Sequence, residues 1–275
     1  MKFDFELVGK IGSMALIRRE DHDIDYNIFS SLGSELRPGY IWVTSGATEI
    51  GRLDYMKRNN GRELEGTDDQ IKTDYASQGQ AILMENYRRF ISPEYSVRQV
   101  LLEHQHFNDE AKRSHIQSML LRARDQGAIP IINYNDAVST KENLNYEISA
   151  LRKNQDHVVE CVDNDETAAV VSCLVRARTL LIMTSALGIY SDPTDPSTLI
   201  KEISGKDTDE VLQGIRNAQL NCIGASRQGA NGAKAKLEYI IEPVKMGTTV
   251  IIGSAKYKIS QLLDGTAPRT VIGAR

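Results

Sequence analysis

Cysteine is scarce in this chain of 275 residues: there are three, Cys161, Cys173 and Cys222, and no two form a C-x-x-C pair. That spacing excludes a zinc ribbon and gives no framework of disulfides. No apolar run approaches the roughly 20 residues that cross a bilayer, so no membrane partner is expected. The opening Met1-Lys2-Phe3-Asp4-Phe5-Glu6 carries acids where a signal peptide is apolar, and a cytoplasmic location is the expectation. Positive charge is not in excess either. With 33 Lys and Arg against 37 Asp and Glu, the net charge is −4, which argues against nucleic acid as a partner. Several catalytic signatures are missing as well: the Walker A loop, G-x-G-x-x-G, H-E-x-x-H and the G-x-S-x-G elbow. Their absence speaks against a P-loop enzyme, a hydrolase triad and a protein-held metal.

What is present is ordinary globular usage, 41% hydrophobic and 25% charged, with strand and helix patterns that alternate. Phe3, Phe5 and Leu7 alternate with polar residues and lead into the loop Gly9-Lys10-Ile11-Gly12-Ser13. Further strands are predicted over 40–45, 97–102, 128–133, 180–184 and 248–252, the last being the final clear one. The near-continuous apolar run 128–133 implies burial on both faces. Helical spacing covers 24–32, 72–90, 109–126, the run after Asp163-Asn164-Asp165, 207–217 and 233–241, with Pro243 just past the end of the last. Residues 54–70 read as a charged excursion outside the core, and 136–158 as a polar hairpin or flap. Strands alternating with helices predict an α/β fold with a largely parallel sheet covered on both faces.

Chemistry-bearing residues gather at the predicted strand ends: Lys10, Ser45 with Gly46, Asn133 to Asp136, and Thr184. In an open α/β sheet, ligands sit beyond the carboxyl ends of the strands, so these residues are expected to meet in one crevice. Asp163-Asn164-Asp165 stands before a helix, where one acidic residue suffices as a cap, which leaves the others free for another task. Gly232 and Lys234 to Lys236 open a later helix, a natural place for an anion. Two lysines and an aspartate could stabilise a phosphoryl group in transfer.

In order along the chain, Lys10-Ile11-Gly12-Ser13, Val43 to Ala47, Gln78-Gly79-Gln80, Ile129 to Val138, Asp163-Asn164-Asp165, Leu180 to Thr184, and Gly232 to Leu237 resemble the amino acid kinase superfamily, and within it the glutamate 5-kinases. The resemblance implies a three-layer αβα sandwich around a mainly parallel, roughly eight-stranded sheet. It implies a single domain over 1–275, acceptor-binding in its N-terminal part and ATP-binding in its C-terminal part, without a C-terminal PUA domain. The implied reaction is ATP-dependent phosphorylation of the γ-carboxylate of L-glutamate, the first step of proline synthesis, with Mg2+, in a homodimer or homotetramer. By position, Lys10 and Lys236 resemble the lysines that neutralise the transferring group, and Asp165 the residue that orients them. Ser45, Gly46, Asn133, Asp136 and Asn164 match the acceptor side. Gly12, Ser13, Thr184, Ser185, the turn from Ala230, Gly232 and Lys234 match the ATP side together with the two lysines. Ser185, Ala235 and Tyr134 replace the Asp, Thr and Glu usual in these kinases. Two alternatives follow: a sibling kinase with another small acceptor such as acetylglutamate, carbamate or UMP, or a weakly active binding homologue.

Overall fold

Neighbouring side chains on a strand point to opposite faces, so a strand that is apolar at every position needs a core on each side. The computed structural model, which describes residues 2–18, 20–154, 158–161, 163–222 and 232–274, has that arrangement. Strand β1 (Phe5–Ile11) is followed by a small hairpin, β2 (Ile17–Arg18) and β3 (Asp23–Ile24), and by α1 (Tyr26–Gly33). Then come β4 (Tyr40–Val43), α2 (Ala47–Arg58), α3 (Asp68–Phe90), β5 (Ser96–Leu102), α4 (Gln105–Asn108), α5 (Glu110–Asp125) and β6 (Ala128–Tyr134). The second half runs α6 (Lys141–Leu151), α7 (Asn164–Leu174), β7 (Ala177–Thr184), β8 (Ile189–Tyr190), β9 (Leu199–Ile200) and β10 (Glu202–Gly205). It closes with α8 (Thr208–Leu220), α9 (Gly232–Tyr239), α10 (Ile241–Lys245), β11 (Thr249–Ser254), α11 (Ile259–Asp264) and β12 (Arg269–Ala274).

The central sheet has eight strands in the order β10-β12-β11-β7-β1-β4-β6-β5. All its pairings are parallel except β11 with β12. Ile41 and Val43 of β4, Leu180 and Ile182 of β7, and Val250 and Ile252 of β11 enter one core, shared with α4, α5, α7, α8, α9 and α10. Their neighbours Tyr40 and Trp42, Leu181 and Met183, and Ile251 enter the other, shared with α1, α2, α3 and α11. The fold is therefore the expected αβα sandwich.

Chain order fixes where a crevice opens. From β1 the chain moves outward through β4 to β5 and β6, then returns to the far side of β1 for β7. The chain leaves β1 toward β4 and leaves β7 toward the opposite edge, so the loops after β1 and β7 diverge there, at the topological switch point where α/β sheets take ligands.

Four expectations need correction. Residues 54–58 belong to α2, so only the stretch between α2 and α3 is an excursion. The predicted flap contains α6, started by Thr140, whose hydroxyl accepts from the Asn143 N–H. The helix predicted over 233–241 ends at Tyr239, and Pro243, past that end as expected, sits in the first turn of a further helix, α10, where the missing N–H would have no helical partner. The sheet continues past 252: β12 returns antiparallel to β11 and carries β10 at the edge. Ala230 falls outside the described residues.

Candidate active site

The Asp163-Asn164-Asp165 cluster divides its labour. Asp163 is the cap of α7, its carboxylate accepting from the N–H groups of Asp165 and Glu166. The next two residues are thereby released to face the sheet. Asp165 is 1% exposed, and its two oxygens go to two lysines: Oδ1 lies 2.7 Å from Lys10 Nζ and Oδ2 lies 2.6 Å from Lys236 Nζ. Lys10 comes from the central strand β1 and Lys236 from α9, so three separate elements meet at one carboxylate. Burial pushes the Asp165 carboxyl up, but the two ammonium groups outweigh it and hold the acid below its usual range. Asp163 shifts the other way, raised by burial and by the charge of Asp165 against the pull of Lys10.

Asn164 turns toward the ends of β4 and β6. Its Nδ2 donates to Ser45 Oγ at 2.9 Å and to Asn133 Oδ1 at 3.1 Å. Asn133 in turn donates to Gln80 Oε1 on α3 at 2.8 Å. The chain of amides thus joins α3, β6, α7 and the turn after β4. Gly46, at φ +106°, makes that turn possible, because L side chains avoid the left-handed region. Beneath it Trp42 Nε1 donates to Tyr87 Oη at 3.1 Å and Tyr87 donates to Thr44 Oγ1 at 2.8 Å, which fixes the strand end from the α3 side. Asp136, in the turn that follows β6, pairs with Lys72 Nζ at 2.8 Å.

On the other flank, the Gly12 N–H donates to Met183 O at 3.3 Å, tying the loop after β1 to β7. Ser13 opens a short 3-10 turn next to it. Thr184 and Ser185 line a cavity of about 250 Å³ together with Met14, Arg18, Ser254 and Lys256. Gly232 begins α9. Lys234 is exposed, and its backbone carbonyl accepts from Gln219. Of the two α9 lysines, Lys236 is the one brought to Asp165.

Tyr134, one of the departures from the pattern that the resemblance implies, sits in the core with its hydroxyl 3.1 Å from Ser139 Oγ. It therefore displaces none of the amide chain. Sequence reasoning missed Lys72 and Glu103, the latter accepting from Asn135 Nδ2 at 2.9 Å, and gave Gln80 only within the Gln78-Gly79-Gln80 motif, with no role. Polar residues on a long helix or at a strand end look the same in sequence whether they face solvent or a site.

A lone buried carboxylate held ionised between two cations, beside a shell of neutral amides and hydroxyls, is an arrangement for gathering negative charge. Known proteins agree with that character. The chain is 28% identical over 280 residues to a glutamate 5-kinase of Alkaliphilus metalliredigens, spanning 98% of this chain and 96% of that one. It is 27% identical to glutamate 5-kinase 1 of Bacillus subtilis over 97% of this chain and 68% of the relative. In fold it is similar to a carbamate kinase from Giardia lamblia (TM-score 0.58, 12% identity, 98% of each chain). A UMP kinase from Ureaplasma parvum gives a TM-score of 0.54 at 12% identity, over 98% of this chain and 99% of that one. Residues 8–254 match the model of the amino acid kinase family, and the chain, with the switch-point crevice and sheet order described above, belongs to that family.

Proposed function

We propose that the chain is an ATP-dependent kinase that phosphorylates the γ-carboxylate of L-glutamate. The observation that carries the reading is the pair of lysines shared by Asp165. Phosphoryl transfer asks the protein for charge stabilisation and in-line placement more than for covalent chemistry. In this reading Lys10 and Lys236 neutralise the charge that spreads over the transferring group, and Asp165 holds both ammonium groups at fixed positions. A glutamate γ-carboxylate, with an ordinary pKa near 4.3, is already ionised at neutral pH. One of its oxygens attacks the γ-phosphorus as the bond to the bridging oxygen breaks, and ADP leaves with that electron pair. No proton has to be removed, which suits a site whose one deeply buried acid is fully occupied by cations.

Ser45, Gly46, Asn133, Asp136 and Asn164 are assigned to the acceptor. Gly12, Ser13, Thr184, Ser185, Gly232 and Lys234 are assigned to the nucleotide beside the two lysines. Among the described residues there is no group of three or more His, Cys, Asp or Glu able to hold a metal. Magnesium, commonly held by nucleotide phosphates rather than by an all-protein cage, would add neutralising charge beside the two lysines. The choice of L-glutamate over carbamate or UMP, whose acceptor groups are also anionic, rests on the sequence relatives.

The test is ADP release with Mg-ATP and L-glutamate, acetylglutamate, carbamate, aspartate or UMP, with hydroxylamine present to trap an acyl phosphate as its hydroxamate. Glutamate-dependent ADP together with hydroxamate is the expected result. Turnover with a different acceptor alone would overturn the substrate assignment, and binding without any turnover would overturn the kinase assignment.

A further inference from the structure

The acceptor loop carries an ion pair that the transfer chemistry leaves unused. Lys72, in the second turn of α3, places its Nζ 2.8 Å from Asp136 Oδ1. Two turns further along the same helix, Gln80 meets Asn133. One helix therefore touches both ends of the 133–136 segment, and the residue at its outer end supplies a charge opposite to that of the loop.

Lys72 is 55% exposed and Asp136 19% exposed. Ion pairs this open to water contribute little and part readily. A free α-amino acid presents an ammonium and a carboxylate on one carbon, so two opposite charges at hydrogen-bond distance are its complement. We propose that Lys72 is a specificity-determining residue: it and Asp136 part to admit the zwitterionic end of an amino-acid acceptor. Lys72 then receives the α-carboxylate and Asp136 the α-ammonium, while the opposite end of the acceptor lies toward Asn164 and Lys10. An acceptor that lacks the α-carboxylate separates the pair and returns nothing to Lys72. This inference rests on the amino-acid kinase reading above and adds the group that recognises the backbone end of the substrate.

The experiment compares L-glutamate with 4-aminobutanoate, which is glutamate without its α-carboxylate, each as substrate or competitive inhibitor. The proteins are the full chain, Lys72→Met, Lys72→Arg, and Lys57→Met as a control for loss of a nearby surface cation. Lys57 pairs with Asp23 away from the acceptor loop. Losing one charge-assisted contact to the substrate predicts a rise in KM for glutamate of about tenfold to a hundredfold in Lys72→Met, with kcat changed little. The constant for 4-aminobutanoate is expected to hold or to fall, because its ammonium no longer has to separate an ion pair, so the preference for glutamate drops by at least the same factor. Lys72→Arg restores most of the preference, and Lys57→Met matches the unaltered protein. An equal rise for both compounds, no change for either, or tighter glutamate binding in Lys72→Met would overturn the proposal. The glutamate reading fails separately, on the unaltered protein: phosphorylation of carbamate or UMP with no binding of glutamate would overturn it, and the role of Lys72 with it.

Discussion

Asp165 is held between two opposing demands: burial favours its neutral form, and Lys10 with Lys236 favour the charged one. Asp165→Asn keeps the shape but leaves two partly or fully buried ammonium groups facing a neutral amide. In the kinase reading turnover is expected to fall by about two to three orders of magnitude, as for loss of one preorganised electrostatic partner, with nucleotide binding largely retained by calorimetry. Unchanged turnover would remove Asp165 from the mechanism. The two aspartates also titrate with opposite signs. Asp165, depressed below its ordinary 3.8, contributes stability that is present above that value and lost as pH falls through its folded pKa. Asp163, raised above 3.8, contributes stability that is present below 3.8 and lost as pH rises through its folded pKa. Asn caps helices about as well as Asp, so Asp163→Asn is expected to gain stability relative to the native chain at pH 7 and to lose that advantage at pH 3.5. Urea midpoints at the two pH values check this; an advantage that grows on acidification would contradict it. At this scale the sequence revealed Lys10, Asp165 and Lys236 by their family order. It was silent on Lys72 and gave Gln80 no role beyond its motif, because a helix that is polar over much of its surface gives no sign of which polar residue turns inward.

The elements that escaped prediction share a cause. Helix α2 buries only Ala47, Ile50, Gly51 and Leu53, too few for a clear apolar stripe. What holds it to α3 is backbone approach: a Cβ on Gly51 would lie 1.9 Å from Tyr75 O, and one on Gly79 would lie 1.9 Å from Ala47 O. Glycine in mid-helix reads as a weakness in sequence, yet here it is the contact itself. Gly79→Ala must push the helices apart, and because the obstruction is backbone the expected loss is about 1–3 kcal/mol. Ala47 follows directly on the Ser45-Gly46 turn, so the same variant is expected to raise KM for the acceptor more than for ATP. Equal effects on both, or none, would show that the helix pair does not position the turn. Helix α6 was hidden for a related reason, since Ile148 is its one buried apolar anchor. It is fastened by Glu147, whose Oε2 lies 2.9 Å from the Nε2 of the buried His104. By contrast, strands such as Ala128–Tyr134, buried at every position, were legible because a short continuous apolar run bounded by polar residues suits a strand with a core on each face.

Across the whole molecule, the strand order puts β1 at the centre, with β4 and β6 on one flank and β7 and β11 on the other. That alternation made the sandwich readable, whereas β12 was missed because it follows the turn residues Gly265 and Pro268 and turns back antiparallel to β11. Lys10 and Lys236 approach Asp165 from different layers, so the two substrates are expected to stabilise the fold through partly separate residues. A ligand that binds only the folded state at a hundred times its Kd adds about 2.7 kcal/mol, which for a chain of this size is roughly 5–10 °C in Tm. Mg-ATP and L-glutamate are each expected to raise the unfolding midpoint of the native protein. Ser45→Ala should abolish most of the glutamate shift and leave the ATP shift, because its hydroxyl belongs to the amide chain of Asn164. Lys236→Met should do the reverse, since α9 carries no residue of that chain. Loss of both shifts in both variants would mean that the flanks do not act separately and that the crevice closes around its two ligands as one unit.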